Sequence, residues 1–274
     1  MQIRIGCDPE LFLVNPSNGS FVSGHDALPG SKADPYKVDR GAVQIDGTAL
    51  EFNTDPANSC EEFISNIKAV MGQMQAMVEA GPYQHLKIAA HPVAEYDPEY
   101  FKSIPGSALM LGCNPDYNAW TLDANPAPDT VGTMRTGSGH IHIGWGEGFD
   151  ADSADHFMDC VPIIRQLDYY IGLATLIWDP DDRRRKMYGA AGAFRPKPYG
   201  AEYRVPSNSW LNSETTQRFV YNAAIKAVSD LIDGDDKSAQ FGDKAQQIIN
   251  NNEIDWLDRY DFGTGLDYKQ LRAA

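Results

Sequence analysis

Positive charge is scarce in this chain. Its 274 residues carry 23 Lys and Arg against 38 Asp and Glu, a formal net charge of −15 and a pI near 4.7. That balance excludes a mechanism built on broad contact with a phosphate backbone, which needs clustered Lys and Arg. No broad nucleic-acid surface is expected. A small anionic substrate is still allowed, because bound metal ions can supply the missing charge. Cysteine is scarce as well. Cys7, Cys60, Cys113 and Cys160 lie far apart, with no CxxC pair and no zinc-finger spacing. They read as reduced, mostly buried thiols, not as a disulfide framework. No apolar run reaches the roughly 18 residues needed to span a bilayer. Residues 1–8 go straight into strand-like alternation, so no leader peptide and no membrane partner are expected. Phosphate-binding glycine loops are missing too: there is no GxxxxGK[ST], and no GxGxxG follows a strand.

The chain does have the means to fold. With 42% hydrophobic and 22% charged residues, and no repeat or low-complexity tract, it has the composition of one sizeable globular domain over residues 1–274. Four helices are predicted. The first follows Ser59, which forms a capping box with Glu62, and stops at Gly81-Pro82. Its Phe63, Ile64, Ile67, Val70, Met71, Met74, Met77 and Val78 keep helical spacing, and the methionines read as core lining. The others cover residues 151–177, the stretch from Ser213 to Gly234, and residues 239–250. Long loops are expected over 15–42 and 113–130, the second anchored by Tyr117 and Trp120.

Four predicted strands carry the chemistry. Over residues 3–13, the mostly apolar odd positions oppose Asp8 and Glu10. Over 49–53, Leu50 and Phe52 oppose Glu51 and Asn53, after a turn at Gly47-Thr48. Ile141 and Ile143 oppose His140 and His142, and Tyr203 and Val205 oppose Glu202 and Arg204. Any half-solvated antiparallel sheet alternates in this way. A solvated face, however, mixes Thr, Ser, Lys and Glu, whereas these faces offer four carboxylates, two imidazoles and an arginine. If the faces converge, hard oxygens with one or two imidazoles suit Mg²⁺ or Mn²⁺. The stretch Thr136-Gly-Ser-Gly-His140 would let backbone N–H groups approach an anion. Arg183, Arg184, Arg185 and Lys186 form the one basic cluster, part of it solvated. Arg195 and Arg204 flank Glu202, and guanidinium groups suit phosphate oxygens.

These four segments, in this order, resemble the catalytic sheet of the glutamine synthetase-like superfamily of carboxylate–amine ligases, in particular the amidoligases encoded by phages. Ile5-Gly-Cys-Asp-Pro-Glu-Leu-Phe-Leu13 is similar to that superfamily's first strand, with its acidic-Pro-acidic pair. Val43-Gln-Ile-Asp-Gly-Thr-Ala-Leu-Glu-Phe-Asn53 looks like the next hairpin. Gly137-Ser-Gly-His-Ile-His142 resembles the glycine-rich HxH strand. Arg195 with Glu202-Tyr-Arg204 resembles the Arg…Glu-x-Arg element. The likeness covers roughly residues 1–55 and 135–210. It departs from the pattern at Asp8, where glutamine synthetases carry Glu, and at Gly200, where they usually carry Arg. The spacing ahead of His140 is also one residue short, and there is no room for their small N-terminal domain.

The resemblance implies an α+β fold with a curved antiparallel sheet, a metal-lined concave face and helices behind it. It implies Asp8, Glu10, Glu51, His140 and Glu202 as metal ligands, with Asp46 a further candidate. One His of the pair would hold metal and the other would lie near nucleotide phosphate, here assigned as His140 and His142 respectively. Arg185, Arg195 and Arg204 join His142 as nucleotide contacts, and Glu202, Arg195 and Arg204 form the catalytic set. The implied activity is ATP-dependent amide formation through an acyl phosphate, with Mg²⁺ or Mn²⁺. A guanidino-kinase-like phosphotransferase and a non-catalytic nucleotide-binding relative are the alternatives. The partners would be small-molecule or peptide carboxylates and amines in the cytoplasm, that of the host if phage-encoded. A homo-oligomer is left open. Specificity is expected in the two long loops.

Overall fold

The structure is a computed structural model that describes residues 2–110, 116–126 and 132–273. Cys113 and Thr130, the ends of the second expected loop, lie outside the described residues. The described chain mixes helices with antiparallel strands: β1 (Arg4–Cys7), β2 (Glu10–Val14), β3 (Phe21–Val22), β4 (Tyr36–Val38), β5 (Gly41–Asp46), β6 (Ala49–Thr54), β7 (Lys87–Ala89), β8 (Val93–Glu95), β9 (Tyr117–Asn118), β10 (Met134–Thr136), β11 (Ile141–Gly144), β12 (Ala193–Lys197) and β13 (Gly200–Tyr203). One sheet runs β1-β11-β13-β12-β9. A second runs β3-β2-β6-β5-β4, with β7 also on β2, and β8 pairs with β10.

The strand expected over residues 3–13 is in fact two. Pro9 has no N–H to give to a ladder, and the chain changes sheet at Asp8-Pro9. The crossing stays tied to its surroundings: Asp8 N donates to His140 O at 3.4 Å, Glu10 N to Ser138 O at 2.8 Å, and Phe52 N to Pro9 O at 3.3 Å. The two sheets therefore join through this segment, which places Asp8 on one and Glu10 on the other.

The alternation read from the other strands sorts the core as expected. Ile141, Ile143, Tyr203, Val205, Leu50 and Phe52 are buried in one apolar cluster. Helix Cys60–Ala80 packs on β5 and β6, helix Ala154–Leu167 packs on β12 and β13, and helix Glu214–Ile232 meets both helices. Ser59 Oγ accepts from Glu62 N at 3.1 Å, while the returning Glu62 carboxylate takes Asn58 N at 2.7 Å instead of the cap's own N–H.

The helix expected over 151–177 is interrupted. It runs over Ala154–Leu167, passes through a π-helical turn at Asp168–Gly172, and resumes at Leu173–Trp178. Asp168 is fully buried there and accepts from Trp120 Nε1 at 2.6 Å and Tyr203 Oη at 2.7 Å. A Cβ at Gly172 would lie 2.7 Å from that same tyrosine hydroxyl, so glycine is what allows the turn to press on β13. The helix expected over 239–250 is two, Lys237–Phe241 and Lys244–Asn250, parted at Gly242 with φ +66°. No helix among the described residues is long and apolar enough to cross a membrane.

Candidate active site

Antiparallel register brings the polar faces together. Gly6 of β1 stands opposite His142 of β11, His142 opposite Glu202 of β13, and Glu202 opposite Arg195 of β12. Asp8 continues the Arg4–Gly6 face. Its Oδ1 lies 3.0 Å from His142 Nε2 and 3.3 Å from His140 Nδ1. His140 Nδ1 is also 3.4 Å from Glu202 Oε1. Ligand atoms of Asp8, His142 and Glu202 all fall within 4.8 Å of one another, a group that could hold a metal ion.

Glu202 is the hub of this half. Its side chain is only 1% exposed, and three cations converge on it: Arg204 in a short contact, Lys197 Nζ at 2.6 Å and Arg195 Nη1 at 3.3 Å. Arg204 in turn pairs with Asp116 at 3.2 Å and lies over the Tyr188 ring, 5.0 Å from its centroid. Positive charge sets the protonation here. Burial alone would raise the Asp8 carboxyl, yet His142 and His140 hold it well below the usual range. Burial, then Arg204, pushes His140 down to about 4.

The second half is built on the other sheet and has the opposite electrostatics. Glu51 pairs across strands with Glu10 on one side and Gln44 on the other. Asp46 lies near both, and Lys32 Nζ reaches its Oδ2 at 2.6 Å. Burial, then Asp46, raises Glu10 to about 7. Burial followed by Asp8, Asp46 and Glu10 pushes Glu51 well above the carboxylate range. A cavity of about 710 Å³ runs along Arg4, Gly6, Asp8, Lys32, Glu51 and Tyr199.

The chain's own donor set fits a hard divalent cation. Asp8 Oδ1, Glu51 Oε2, His140 Nε2 and His142 Nε2 are buried and without a hydrogen-bond partner among the described residues. Asp8 Oδ1 and His142 Nε2 are close but lack hydrogen-bond geometry. Two donors facing one point suit carboxylate–imidazole coordination of Mg²⁺ or Mn²⁺.

The sequence-derived site residues divide as follows. Asp8, His140, His142, Glu202, Arg195 and Arg204 come together. Glu10 and Glu51 meet each other, with Glu51 near enough to feel the charge of Asp8. Arg185 is held elsewhere: it is buried, donates to Asp179 O at 2.9 Å and contacts Asn252 Oδ1 at 2.5 Å. Its neighbour Arg184 is also buried, donating to Val205 O at 2.7 Å and Arg204 O at 3.3 Å. The basic cluster is thus half structural, with Arg183 and Lys186 at the surface.

The glycines before His140 do not offer free N–H groups. Gly137 N donates to Pro92 O and Gly139 N to Pro206 O, while Ser138 N takes the Glu10 carboxylate at 2.9 Å. The anion held there is the chain's own. A Cβ at Gly139 would lie 2.4 Å from Ser207 O, so close packing requires that glycine. The departure at Gly200 has a similar cause: φ is +151° and a Cβ would sit 2.1 Å from Ile143 O, leaving no place for an arginine.

Sequence reasoning missed Lys197, Asp116 and Tyr199. Lys197 stands two residues from Arg195, so the same period-two reading finds it on the same face. Asp116 is 88 residues from Arg204, and no local signal links them.

A curled antiparallel surface gathers carboxylates, imidazoles and guanidinium groups, and its Asp8, His142 and Glu202 form a group that could hold a metal ion. Residues 134–256 match the family model of the phage phiEco32-like COOH.NH2 ligases, type 2. That family is one of ligases joining carboxyl to amine groups, the group that the four motifs resemble. The matched stretch includes His140, His142, Arg195, Glu202 and Arg204. No curated protein matches the chain.

Proposed function

We propose that the protein is an ATP-dependent carboxylate–amine ligase that forms an amide through an acyl phosphate. The observation that carries this reading is the meeting of Asp8, His142 and Glu202 beside Arg195, Lys197 and Arg204, all but Asp8 within the stretch that matches the ligase family. Asp8, His142 and Glu202 would hold one divalent cation, and Glu10 and Glu51 would serve a second. A divalent cation with ATP supplies charge neutralisation and the phosphoryl group. Arg195 and Arg204, released in part from Glu202, bind anionic oxygens and orient the carboxylate that accepts the phosphoryl group. The same guanidinium groups stabilise the oxyanion that develops when the amine attacks. Tyr199, Pro35 and Pro198 wall the cavity and limit water at the reacting carbonyl.

The test follows one oxygen atom. A carboxylate activated as its acyl phosphate leaves one oxygen in the released phosphate. A screen of acids and amines for ADP release with Mg²⁺ or Mn²⁺, followed by ¹⁸O-labelled acid, is expected to put label in inorganic phosphate. Hydroxylamine is expected to trap a hydroxamate. Label in AMP would replace this mechanism with adenylation. A stable phosphorylated product would make the protein a kinase, and nucleotide binding without turnover would make it a non-catalytic relative.

A further inference from the structure

As Tyr188 reaches His140, so Tyr199 reaches His142 from outside the motif strands. It sits after Pro198 in the short turn between β12 and β13 and lines the cavity. Its hydroxyl makes a short contact with His142 Nδ1, and the two ring centroids are 5.9 Å apart. The turn is fixed: Tyr199 O accepts from Trp145 N at 3.0 Å and from Gly146 N at 3.2 Å. Its ring lies along Gly144, where a Cβ would come 3.8 Å from Tyr199 Cδ2. Both sides of the hydroxyl–imidazole contact are therefore held by backbone.

We propose that Tyr199 is a positioning residue for His142, turning Nε2 toward Asp8 and accepting a hydrogen bond from Nδ1–H when a cation is bound. This rests on the reading of Asp8, His142 and Glu202 as a cation site. The chemistry needs only one ring proton. A neutral imidazole carries a single N–H, so Nε2 can present its lone pair only if that proton is on Nδ1. The proton on Nδ1 then needs an acceptor, and the Tyr199 hydroxyl is the group in place. Without a cation the hydroxyl rotates and donates to Nδ1, which leaves the ring proton on Nε2, 3.0 Å from Asp8 Oδ1 but without hydrogen-bond geometry. A phenol serves both tautomers because it donates and accepts. A carboxylate in the same place could only accept. Outer partners of this kind hold ligand orientation, and their loss commonly costs about 10–100-fold in metal affinity.

The experiment is a Mg²⁺ titration of the full chain, read by ¹⁵N ring shifts of His142 and by calorimetric affinity, on wild type, Tyr199→Phe and His142→Ala. The wild-type protein is expected to move the His142 proton from Nε2 to Nδ1 as Mg²⁺ saturates. Tyr199→Phe keeps the ring and its packing, and is expected to weaken Mg²⁺ about tenfold with a mixed tautomer at saturation. Unchanged affinity and a complete tautomer switch in Tyr199→Phe would overturn the role of the hydroxyl while leaving the cation site standing. Binding that His142→Ala leaves unaltered would remove His142 from the site, and both readings with it.

Discussion

The two halves of the cleft use the same acidic residue types with opposite electrostatics. On the β1-β11-β13-β12 side, Glu202 meets Arg195, Lys197 and Arg204, and Asp8 meets two imidazoles. On the β2-β6-β5 side, Glu10, Glu51 and Asp46 share one lysine, whose side chain is 48% exposed. Asp8 is accordingly pulled below the carboxylate range, while Glu10 and Glu51 are pushed above it. The difference shows that one half carries its own counter-charge and the other does not. The under-neutralised half has more to gain from a divalent cation, and the neutralised half already holds the guanidinium groups that an anion would need.

The sharpest way to break this comparison is to remove one acid from each half. Glu202→Ala and Glu51→Gln are both expected to abolish turnover. Their stabilities should diverge. Loss of Glu202 removes the buried carboxylate shared by Arg204, Lys197 and Arg195 and leaves Arg204 with Asp116 as its carboxylate partner; breaking a buried pair typically costs about 3–5 kcal/mol, or roughly 10 °C in melting temperature for a chain of this size. Glu51→Gln replaces a carboxyl that burial and its acidic neighbours already push toward the neutral form, and should leave the melting temperature unchanged or higher. Equal destabilisation by the two variants would mean that the halves are not electrostatically distinct.

Next in size is the effect of the arginines. Arg195→Lys should weaken ATP by about tenfold or more, since an ammonium cannot present two parallel donors. Arg183→Ala should be nearly silent, because Arg183 is half exposed and pairs with Asp181 and Glu95 at the surface. Equilibrium nucleotide binding ranks the two, and the reverse order would move nucleotide recognition to the basic cluster.

The pH dependence separates the halves again. A carboxyl whose folded pKa is raised binds its proton more tightly in the folded state. Its contribution is therefore full at low pH and is lost as pH rises through the folded value. For Glu10 that window runs from about 4.5 to about 7. Asp8 has the opposite sign: its contribution is present above about 3.8 and is lost as pH falls through its lowered value. Without added divalent cation, the melting temperature is expected to decline from pH 5 to pH 7.5, and Glu51→Gln should flatten that decline. A wild-type protein that gains stability over this range would contradict the under-neutralised half.

The one-faced strands were legible because period two acts within a few residues: His140 and His142 against Ile141 and Ile143, Glu202 and Arg204 against Tyr203 and Val205. The change of sheet at Asp8-Pro9 was not read, although Pro9 signals it, because the alternation runs on through the proline. The contacts that decide each carboxyl's state were beyond local reading. Ser138 N finds Glu10 across 128 residues, and Tyr199 finds His142 across 57. These pairings depend on how the two sheets curl toward each other, which no single strand encodes. The burial of Arg185 was beyond local reading for a related reason, since a charge run does not show which members face inward.

The smallest expected effect lies at Lys32, between β3 and β4 in the stretch expected as a loop over 15–42. Its Nζ holds Asp46 at 2.6 Å, and Asp46, Glu51 and Glu10 together keep it protonated against the cost of burial. Lys32 thus occupies part of the negative field that a second divalent cation would use. Lys32 is about half exposed, so the pair is worth roughly 1 kcal/mol or less, which caps the competition at about fivefold. Lys32→Ala is therefore expected to tighten Mn²⁺ by a few-fold in calorimetric titration while leaving the melting temperature within about 3 °C. If Lys32 instead serves an anionic reactant, Mn²⁺ affinity would stay unchanged and the KM for that reactant would rise. Weaker Mn²⁺ binding in Lys32→Ala would sink the competition and, with it, the view that this half lacks only a cation.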